Sequence, residues 1–269
     1  MKFKVLSCLS GEDYELDSFV DEAAKIYADH SIKFVDKKEK QSLCKHLNNN
    51  ITSAEWDYTY IEEFTPNGFY LPEKKKLMIN DKFDYFIGQK NVSLLMTGIH
   101  EVGHALQFDD GKLIIGDSRK ATLHDDFGEA LNSAAEMMVA IDYFKSGKFP
   151  KVTNAKLCAI DKKGSDAFMP MPTCMFDYDL KLELDTDKGV SEYEFGYSYN
   201  MIGLFRVLKT LDIPLVDAIR CNTFLGGDMA PTLGKFDDYF TSFKTDKEKL
   251  KALAPFTFDD CQNFVAKNF

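Results

Sequence analysis

Residues 98–107 read GIHEVGHALQ and place two histidines four positions apart, with a glutamate directly after the first. On a helix, residues four apart lie on one face, one turn apart, so His100 and His104 can direct two imidazole nitrogens at one point. Zinc binds such nitrogens at about 2.0–2.1 Å and prefers four ligands in a tetrahedron. Glu101 lies one residue out of phase, and is therefore suited to holding a metal-bound water and accepting its proton as a general base.

The alternative for this segment is an apolar helix whose histidines have no ligand role. Because the chain contains only five histidines, a chance His-Glu-x-x-His has a frequency on the order of one in a hundred. The apolar neighbours Ile99, Val102 and Leu106 indicate a buried segment. Two histidines and a carboxylate buried without partners cost on the order of several kcal/mol, and a metal ion is the simplest partner. The motif therefore predicts a metal site.

The elements around the motif are predicted from hydrophobic periodicity and turn residues. Residues 90–108 lack proline and predict a buried helix, and a second long helix is expected after a loop at 109–118. The stretch 146–190 is irregular, and TPNG at 65–68 predicts a turn. The other predicted helices are 12–30, 37–48, 126–145, 193–211 and 214–224. The predicted strands are 56–64 and 75–80.

The segment HEVGH, preceded by the short strand KKLMIN and followed by a glutamate-bearing helix, resembles the gluzincins. These are zinc metallopeptidases that use two histidines and one glutamate as ligands, and the resemblance covers residues 70–145. The family's third ligand lies on a later helix, within patterns such as G-E-x-x-A-D, and GEALNS at 128–133 matches the first two positions. The resemblance thus implies Glu129 as third ligand. The family's supporting aspartate corresponds to Ser133, a weaker hydrogen-bond acceptor for a histidine.

A second alignment leaves the third ligand open. ALNSAAE also resembles the family's A-x-N-E-A form, which places Ser133 at the ligand position. In that case Glu136 substitutes from one turn later, or no third protein ligand exists. Glu129, Ser133 and Glu136 share one helical face, so their spacing does not choose between these alternatives. Three preceding residues are interpreted as loop and capping residues: His124, Asp125 and Asp126.

The resemblance also implies the fold class and further site residues. It implies an α+β fold, with N-terminal helices and a zincin-like core in 1–150 (a small sheet, the His-Glu-x-x-His helix and the glutamate helix). A mainly helical C-terminal lobe in 151–269 would complete the cleft. In such enzymes a side chain from this lobe stabilises the oxyanion; Tyr197 is the first candidate, with Tyr193 and Tyr199 as alternatives. The strand at 75–80 would lie along the cleft edge and pair with an extended substrate.

Composition limits the classes of partner and compartment. The formal net charge of −10 disfavours nucleic acid and anionic membranes as partners. No apolar run approaches the length of a membrane helix, and the first residues predict no signal peptide. The six cysteines are scattered without a C-x-x-C pair, which favours reduced thiols and a cytoplasmic protein. The sequence does not indicate the oligomeric state.

These observations predict a zinc-dependent peptidase that acts on a peptide or protein substrate. Zn²⁺ would be held by His100, His104 and Glu129, with Glu101 as general base. The competing hypothesis is a binding protein built on an inactive peptidase scaffold, which follows if Ser133 replaces the ligand glutamate. A structural site with four protein ligands is disfavoured, because such sites often use cysteines and no cysteine lies close in the sequence.

Overall fold

The computed structural model describes ten ranges of the chain: 4–6, 13–57, 68–80, 90–109, 112–115, 123–146, 201–223, 229–242, 263–264 and 267–269. Within them the architecture is mixed α+β. The helices are α1 (Leu16–His30), α2 (Lys40–Asn50), α3 (Lys90–Leu106), α4 (Leu123–Lys145), α5 (Met201–Leu211), α6 (Leu215–Cys221) and α7 (Ala230–Thr241). The strands are β1 (Lys4–Leu6), β2 (Asp13–Glu15), β3 (Ser53–Asp57), β4 (Gly68–Leu71), β5 (Lys76–Asn80), β6 (Phe108–Asp109) and β7 (Lys112–Leu113).

The largest sheet of the described residues has three strands in the order β3-β5-β4. β3 runs parallel to β5, and β4 runs antiparallel to it, with Gly68 opposite Ile79. The prediction that the strand at 75–80 lies along the cleft edge is therefore wrong. β5 is hydrogen-bonded on both sides, so it has no free edge to offer a substrate. β4 occupies the outer position instead, and it lies against α3, where the Cβ of any residue at 68 would approach Thr97 and Glu101 to 3.0 Å.

The hydrophobic core lies where α1, α3 and α4 pack together. α3 contributes Ile99, Val102 and Leu106, all fully buried, which confirms that the motif lies in a buried helix. α1 contributes Tyr27, which is also fully buried. α5 and α6 pack on α4 and add apolar side chains to the same core, Val207 among them. The division of the chain at residue 150 stays a prediction.

Several element boundaries differ from the predicted ones. α4 begins at Leu123, so Asp125 and Asp126 lie inside its first turn, and the interpretation of them as caps or loop residues is wrong, as it is for His124. The predicted loop at 109–118 contains part of a short hairpin, in which β6 pairs with β7. The predicted strand at 56–64 is observed at 53–57; residues 58–67 lie outside the described residues.

The C-terminal half is described only in part. The predicted helix at 193–211 is observed from Met201, and 147–200 lie outside the described residues, together with Tyr193, Tyr197 and Tyr199. α6 occupies most of the predicted helix at 214–224, beginning directly after Pro214, a position where a missing backbone N–H costs nothing. Among the described residues, no helix combines the length and apolar character that crossing a bilayer requires.

Candidate metal centre

The two helices that carry the motif residues approach each other closely at Gly103. A Cβ at this position would lie 2.1 Å from Asn132 Oδ1 on α4, so only glycine fits without a rearrangement. The Asn132 side chain uses this space to donate a hydrogen bond of 2.9 Å from Nδ2 to the carbonyl oxygen of His100. The close approach brings the face of α4 that carries Glu129 and Glu136 opposite the histidines of α3. The glycine of the motif thus has a specific packing role.

Four side-chain atoms from α3 and α4 converge at this contact. His100 Nε2 and His104 Nε2 lie 3.0 Å apart. The carboxylate of Glu129 faces both of them, with Oε1 2.7 Å from His100 Nε2 and Oε2 2.9 Å from His104 Nε2. Glu129, which the resemblance to gluzincins implies as third ligand, thus contacts both histidines of the motif. Glu101 also belongs to the cluster, because His100, Glu101 and His104 each offer a ligand atom within 4.8 Å of the others.

The outer ring nitrogens of the two histidines face acceptors. His100 Nδ1 lies 2.9 Å from Glu136 Oε2, and His104 Nδ1 lies 2.6 Å from Gln107 Oε1. A carboxylate oxygen and an amide oxygen can only accept, so each of these contacts is a hydrogen bond when the histidine carries a proton on Nδ1. A neutral imidazole that donates from Nδ1 carries its lone pair on Nε2. Both lone pairs then point toward each other and toward the Glu129 carboxylate.

This arrangement of acceptors needs positive charge at its centre. Two imidazole lone pairs and a carboxylate within 3.0 Å of each other repel unless protons or a cation lie between them. Zinc held at about 2.0–2.2 Å in a tetrahedron separates neighbouring ligand atoms by about 3.3–3.6 Å, so the observed separations of 2.7–3.0 Å must widen by about 0.3–0.9 Å to admit the ion. The donor set of two nitrogens and one carboxylate is also the set used by catalytic zinc sites. The residues present thus fit a zinc ion.

The electrostatics of the cluster are those of a site that collects positive charge. Burial lowers the pKa of His100, but the hydrogen bonds to Glu129 and Glu136 outweigh it and raise the pKa well above the ordinary range. For His104, burial is likewise outweighed, chiefly by the charge of Glu129, and the pKa is raised. Burial favours the neutral form of Glu129, yet the two histidines hold the pKa of its carboxyl well below its usual range. A metal ion would take the place of the protons that these histidines otherwise hold.

Glu101 differs from the other carboxylates in having an unpaired oxygen. Its side chain is 4% exposed, and Oε2 is buried with no hydrogen-bond partner among the described residues. Burial raises the pKa of Glu101, against the opposing charges of His104 and His100. A buried acceptor without a donor is costly, so a native structure usually has a functional or solvent partner for it. The oxygen is available to accept a proton.

The structure separates the three candidates on α4. Glu129 faces the two Nε2 atoms, whereas Glu136 lies on the opposite side of the His100 ring, at Nδ1. Ser133 Oγ is buried and has no hydrogen-bond partner among the described residues, so the expected hydrogen bond from a histidine to Ser133 is not formed. Glu136 accepts that bond instead, from one turn further along the helix. The two described free cysteines, Cys44 and Cys221, are not in the cluster.

Three residues of the site were not predicted from the sequence. Asn132 holds the His100 carbonyl, Gln107 accepts from His104, and Asn222 beside α6 donates to the Gly128 carbonyl at 3.1 Å. Gln107 follows His104 by three positions on or beside the same helix, so a contact between the two side chains could have been predicted from this spacing. The roles of Asn132 and Asn222 depend on how α4 and α6 pack, which no local pattern shows.

Comparisons of the chain with protein families, with curated proteins and with solved structures give no match. The likeness to gluzincins therefore depends on the motif, the helix that follows it and the geometry described above.

Proposed function

We propose that the protein is a zinc-dependent peptidase in which His100, His104 and Glu129 hold the metal ion. The observation that carries this proposal is the convergence of the two Nε2 atoms on both carboxylate oxygens of Glu129, within 2.7–3.0 Å. Acceptors at Nδ1 hold the protons of both histidines, so that each Nε2 presents a lone pair to the metal. In this proposal His100, His104 and Glu129 are the ligands and Glu101 is not, so that a fourth position is left for water, as in catalytic rather than structural zinc sites.

Glu101 is the proposed general base. When bound, zinc lowers the pKa of a coordinated water and polarises a carbonyl group. Glu101 belongs to the same cluster, and its unpaired Oε2 can accept a proton from water there. The carboxyl group then holds this proton and donates it to the departing amine of a cleaved peptide. Tyr197 remains the candidate for oxyanion stabilisation from the C-terminal half.

The edge strand β4 is the proposed docking site for an extended peptide. It is the outer strand beside α3 in the described sheet, and its backbone passes close to the Glu101 side chain at Gly68. An edge strand presents unpaired N–H and C=O groups to which a substrate strand can add. The role that the sequence assigned to the strand at 75–80 thus moves to its neighbour, the strand that precedes it in the chain.

The first test combines metal content with hydrolysis. Purified wild-type protein is dialysed, its zinc is counted by elemental analysis, and the cleavage of a mixed peptide library is followed by mass spectrometry. We expect one zinc ion per chain and cleavage that stops on chelation. Glu101→Gln keeps the shape of the side chain but removes its basicity, so we expect it to retain zinc and to lose about 10²–10⁴-fold in rate. Full activity in this variant would remove Glu101 from the mechanism.

The competing function, a binding protein on an inactive scaffold, is an outcome of the same test. Wild-type protein that binds zinc tightly but cleaves no peptide would favour it. Wild-type protein that binds no zinc, after preparation without chelators, would reject the proposed metal centre itself. The two results are distinct, because zinc content is measured independently of hydrolysis.

A further inference from the structure

Gln107 connects a ligand histidine on α3 to the backbone of α4. Its side chain is buried, with the residue 3% exposed. Nε2 donates to the carbonyl oxygen of Gly128 at 2.7 Å, and Oε1 lies 2.6 Å from His104 Nδ1. Gly128 directly precedes Glu129 in the chain. One amide therefore contacts both a histidine of the cluster and the backbone beside the cluster's carboxylate.

The orientation of this amide follows from the Gly128 carbonyl. A carbonyl oxygen only accepts, so the NH₂ group of Gln107 must face it and the amide oxygen must face His104. The amide oxygen in turn accepts only, so His104 must donate from Nδ1. Asn222 Nδ2 donates to the same carbonyl at 3.1 Å, which adds a second buried donor from the end of α6. The direction of each hydrogen bond in this chain is thus determined by the one before it.

Without the hydrogen bonds through Gln107, the opposite tautomer of His104, with its proton on Nε2, also has a hydrogen-bond acceptor. Glu129 Oε2 lies 2.9 Å from His104 Nε2, so a neutral His104 with its proton on Nε2 would donate to the carboxylate. That tautomer has no lone pair on Nε2 and cannot bind a metal there. The site therefore contains two competing acceptors for one proton, Gln107 on the outer side and Glu129 on the inner side. The outer acceptor must hold the proton for the inner nitrogen to be a ligand.

We propose that Gln107 is a positioning residue of the metal centre, which holds the proton of His104 on Nδ1 and so directs the Nε2 lone pair toward the metal. This inference rests on the proposed metal site and assigns a role to a residue beyond its three ligands. Gln107 touches neither metal nor substrate in this role. It acts through the orientation and tautomer of His104.

The test compares two substitutions at Gln107. Gln107→Met keeps the length of the side chain and removes both hydrogen bonds. Gln107→Glu keeps an acceptor toward His104 and removes the donor to Gly128. Gln41→Met makes the first change at an exposed position on α2, away from the site, and is the matched control. The tautomer of His104 is read from the ¹⁵N shifts of its ring nitrogens in metal-free protein at alkaline pH, with the signals assigned by their absence from His104→Asn. Zinc affinity is read by competition with a chromophoric chelator.

We expect wild type, Gln41→Met and Gln107→Glu to show the Nδ1–H tautomer. Gln107→Met should shift His104 toward the Nε2–H tautomer and weaken zinc binding by about 10–100-fold, the usual effect of removing a residue that orients a ligand. The Nδ1–H tautomer and wild-type affinity in folded Gln107→Met protein would overturn the proposal, as would an Nε2–H tautomer in Gln107→Glu. Absence of zinc binding in wild type would count against the proposed function instead, because the tautomer measurement needs no metal.

Discussion

Two pairs of polar side chains, each four residues apart on a helix, lie on or against α3. His100 and His104 form the first pair, on α3 itself. His46 and Asn50 form the second, on α2, where Asn50 Nδ2 lies 2.9 Å from His46 Nε2. The spacing and the close contact between the two side chains are the same in both pairs. Their surroundings differ, and the surroundings decide what each pair can do.

The pair on α2 faces backbone carbonyls. Asn50 Nδ2 donates to the carbonyl of Ala105, and His46 Nε2 lies 2.9 Å from the carbonyl of Phe108. Both carbonyls belong to the end of α3 and the residues just after it, where the last turn of a helix lacks intrahelical donors. The pair therefore caps the helix that carries the His-Glu-x-x-His motif. These acceptors are neutral carbonyl groups that the donors of the pair satisfy, so the contacts need no cation.

A fourth histidine, His30, contacts a single carboxylate and no second imidazole among its described contacts. His30 Nδ1 lies 2.7 Å from Asp142 Oδ2, which joins α1 to α4, and its ring packs edge-on against Tyr143. This is a single imidazole with a single carboxylate. At the proposed metal centre, by contrast, two imidazoles converge on one carboxylate while other acceptors hold their outer nitrogens. Convergence with fixed outer partners distinguishes the candidate site from the structural contacts.

The largest expected effect comes from giving the α3 pair the composition of the α2 pair. His104→Asn leaves a histidine followed four residues later by an asparagine, as in His46 and Asn50. One nitrogen ligand is lost, so we expect the protein to bind no zinc after dialysis. His46→Asn, the same substitution on α2, should retain one zinc ion and lose about 1–3 kcal/mol of unfolding free energy through the weakened cap. Elemental analysis and urea denaturation measure the two effects. Zinc loss in both variants would contradict the conclusion that only the pair on α3 binds the metal.

A second comparison tests Glu136, which contacts His100 at the proposed metal centre, against Asp142, which contacts the single histidine His30. Glu136→Gln removes the charged acceptor at His100 Nδ1, and we expect zinc affinity to fall by about 10–100-fold while binding persists. Asp142→Asn makes the equivalent change at His30, on the same helix, and should leave zinc affinity unchanged. Chelator competition gives both affinities. Complete loss of zinc in Glu136→Gln, with zinc retained in Glu129→Gln, would show that Glu136 is the ligand.

The histidine pair and the helix that carries it could be predicted from sequence, because four-residue spacing and apolar periodicity are local properties. The choice between Glu129 and Glu136 could not, since both lie on one face of α4 and differ only in the side of the His100 ring they meet. The contact of Asn132 with His100 and the cap formed by Asn50 depend on tertiary packing. The edge position of β4 depends on strand order, and a short strand without clear alternation gives no local signal for it.

The close approach of α3 and α4 can be tested through a matched pair of glycines. Gly103→Ala places a methyl group 2.1 Å from Asn132 Oδ1, so Asn132 must move from the His100 carbonyl. We expect a loss of about 1–3 kcal/mol of unfolding free energy, together with weaker zinc binding. At Gly234, in α7, a Cβ would meet no heavy atom within 4 Å among the described residues, so Gly234→Ala should raise stability by about 0.5–1 kcal/mol. Equal stabilities for the two variants in thermal denaturation would contradict the close contact.

The smallest effect is expected at a carboxylate that pairs with a cation outside the site. Arg220 of α6 donates from Nη1 to Glu39 Oε2 at 2.9 Å and to the carbonyl of Phe34 at 2.8 Å. The hydrogen bond from Arg220 holds the pKa of Glu39 below its ordinary value, against the opposing effect of burial. Folding lowers the pKa of Glu39, so the pair with Arg220 contributes to the unfolding free energy at pH values above the ordinary pKa of a glutamate. This contribution is lost as the pH falls through the pKa of Glu39 in the folded protein.

Arg220→Gln should therefore cost about 0.5–1 kcal/mol of unfolding free energy at neutral pH, as is usual for a pair that solvent screens in part, and less in acid. Zinc content should stay at the wild-type value, because the described contacts of Glu39 and Arg220 include no residue of the metal cluster. Urea denaturation of both proteins at neutral and acidic pH gives the difference. A difference that grows in acid would mean that Glu39 is not the titrating group. A loss of zinc would mean that the contact between Glu39 and Arg220 is coupled to the metal centre. Asn222, at the end of α6, would carry this coupling, because it donates to the carbonyl of Gly128 on α4.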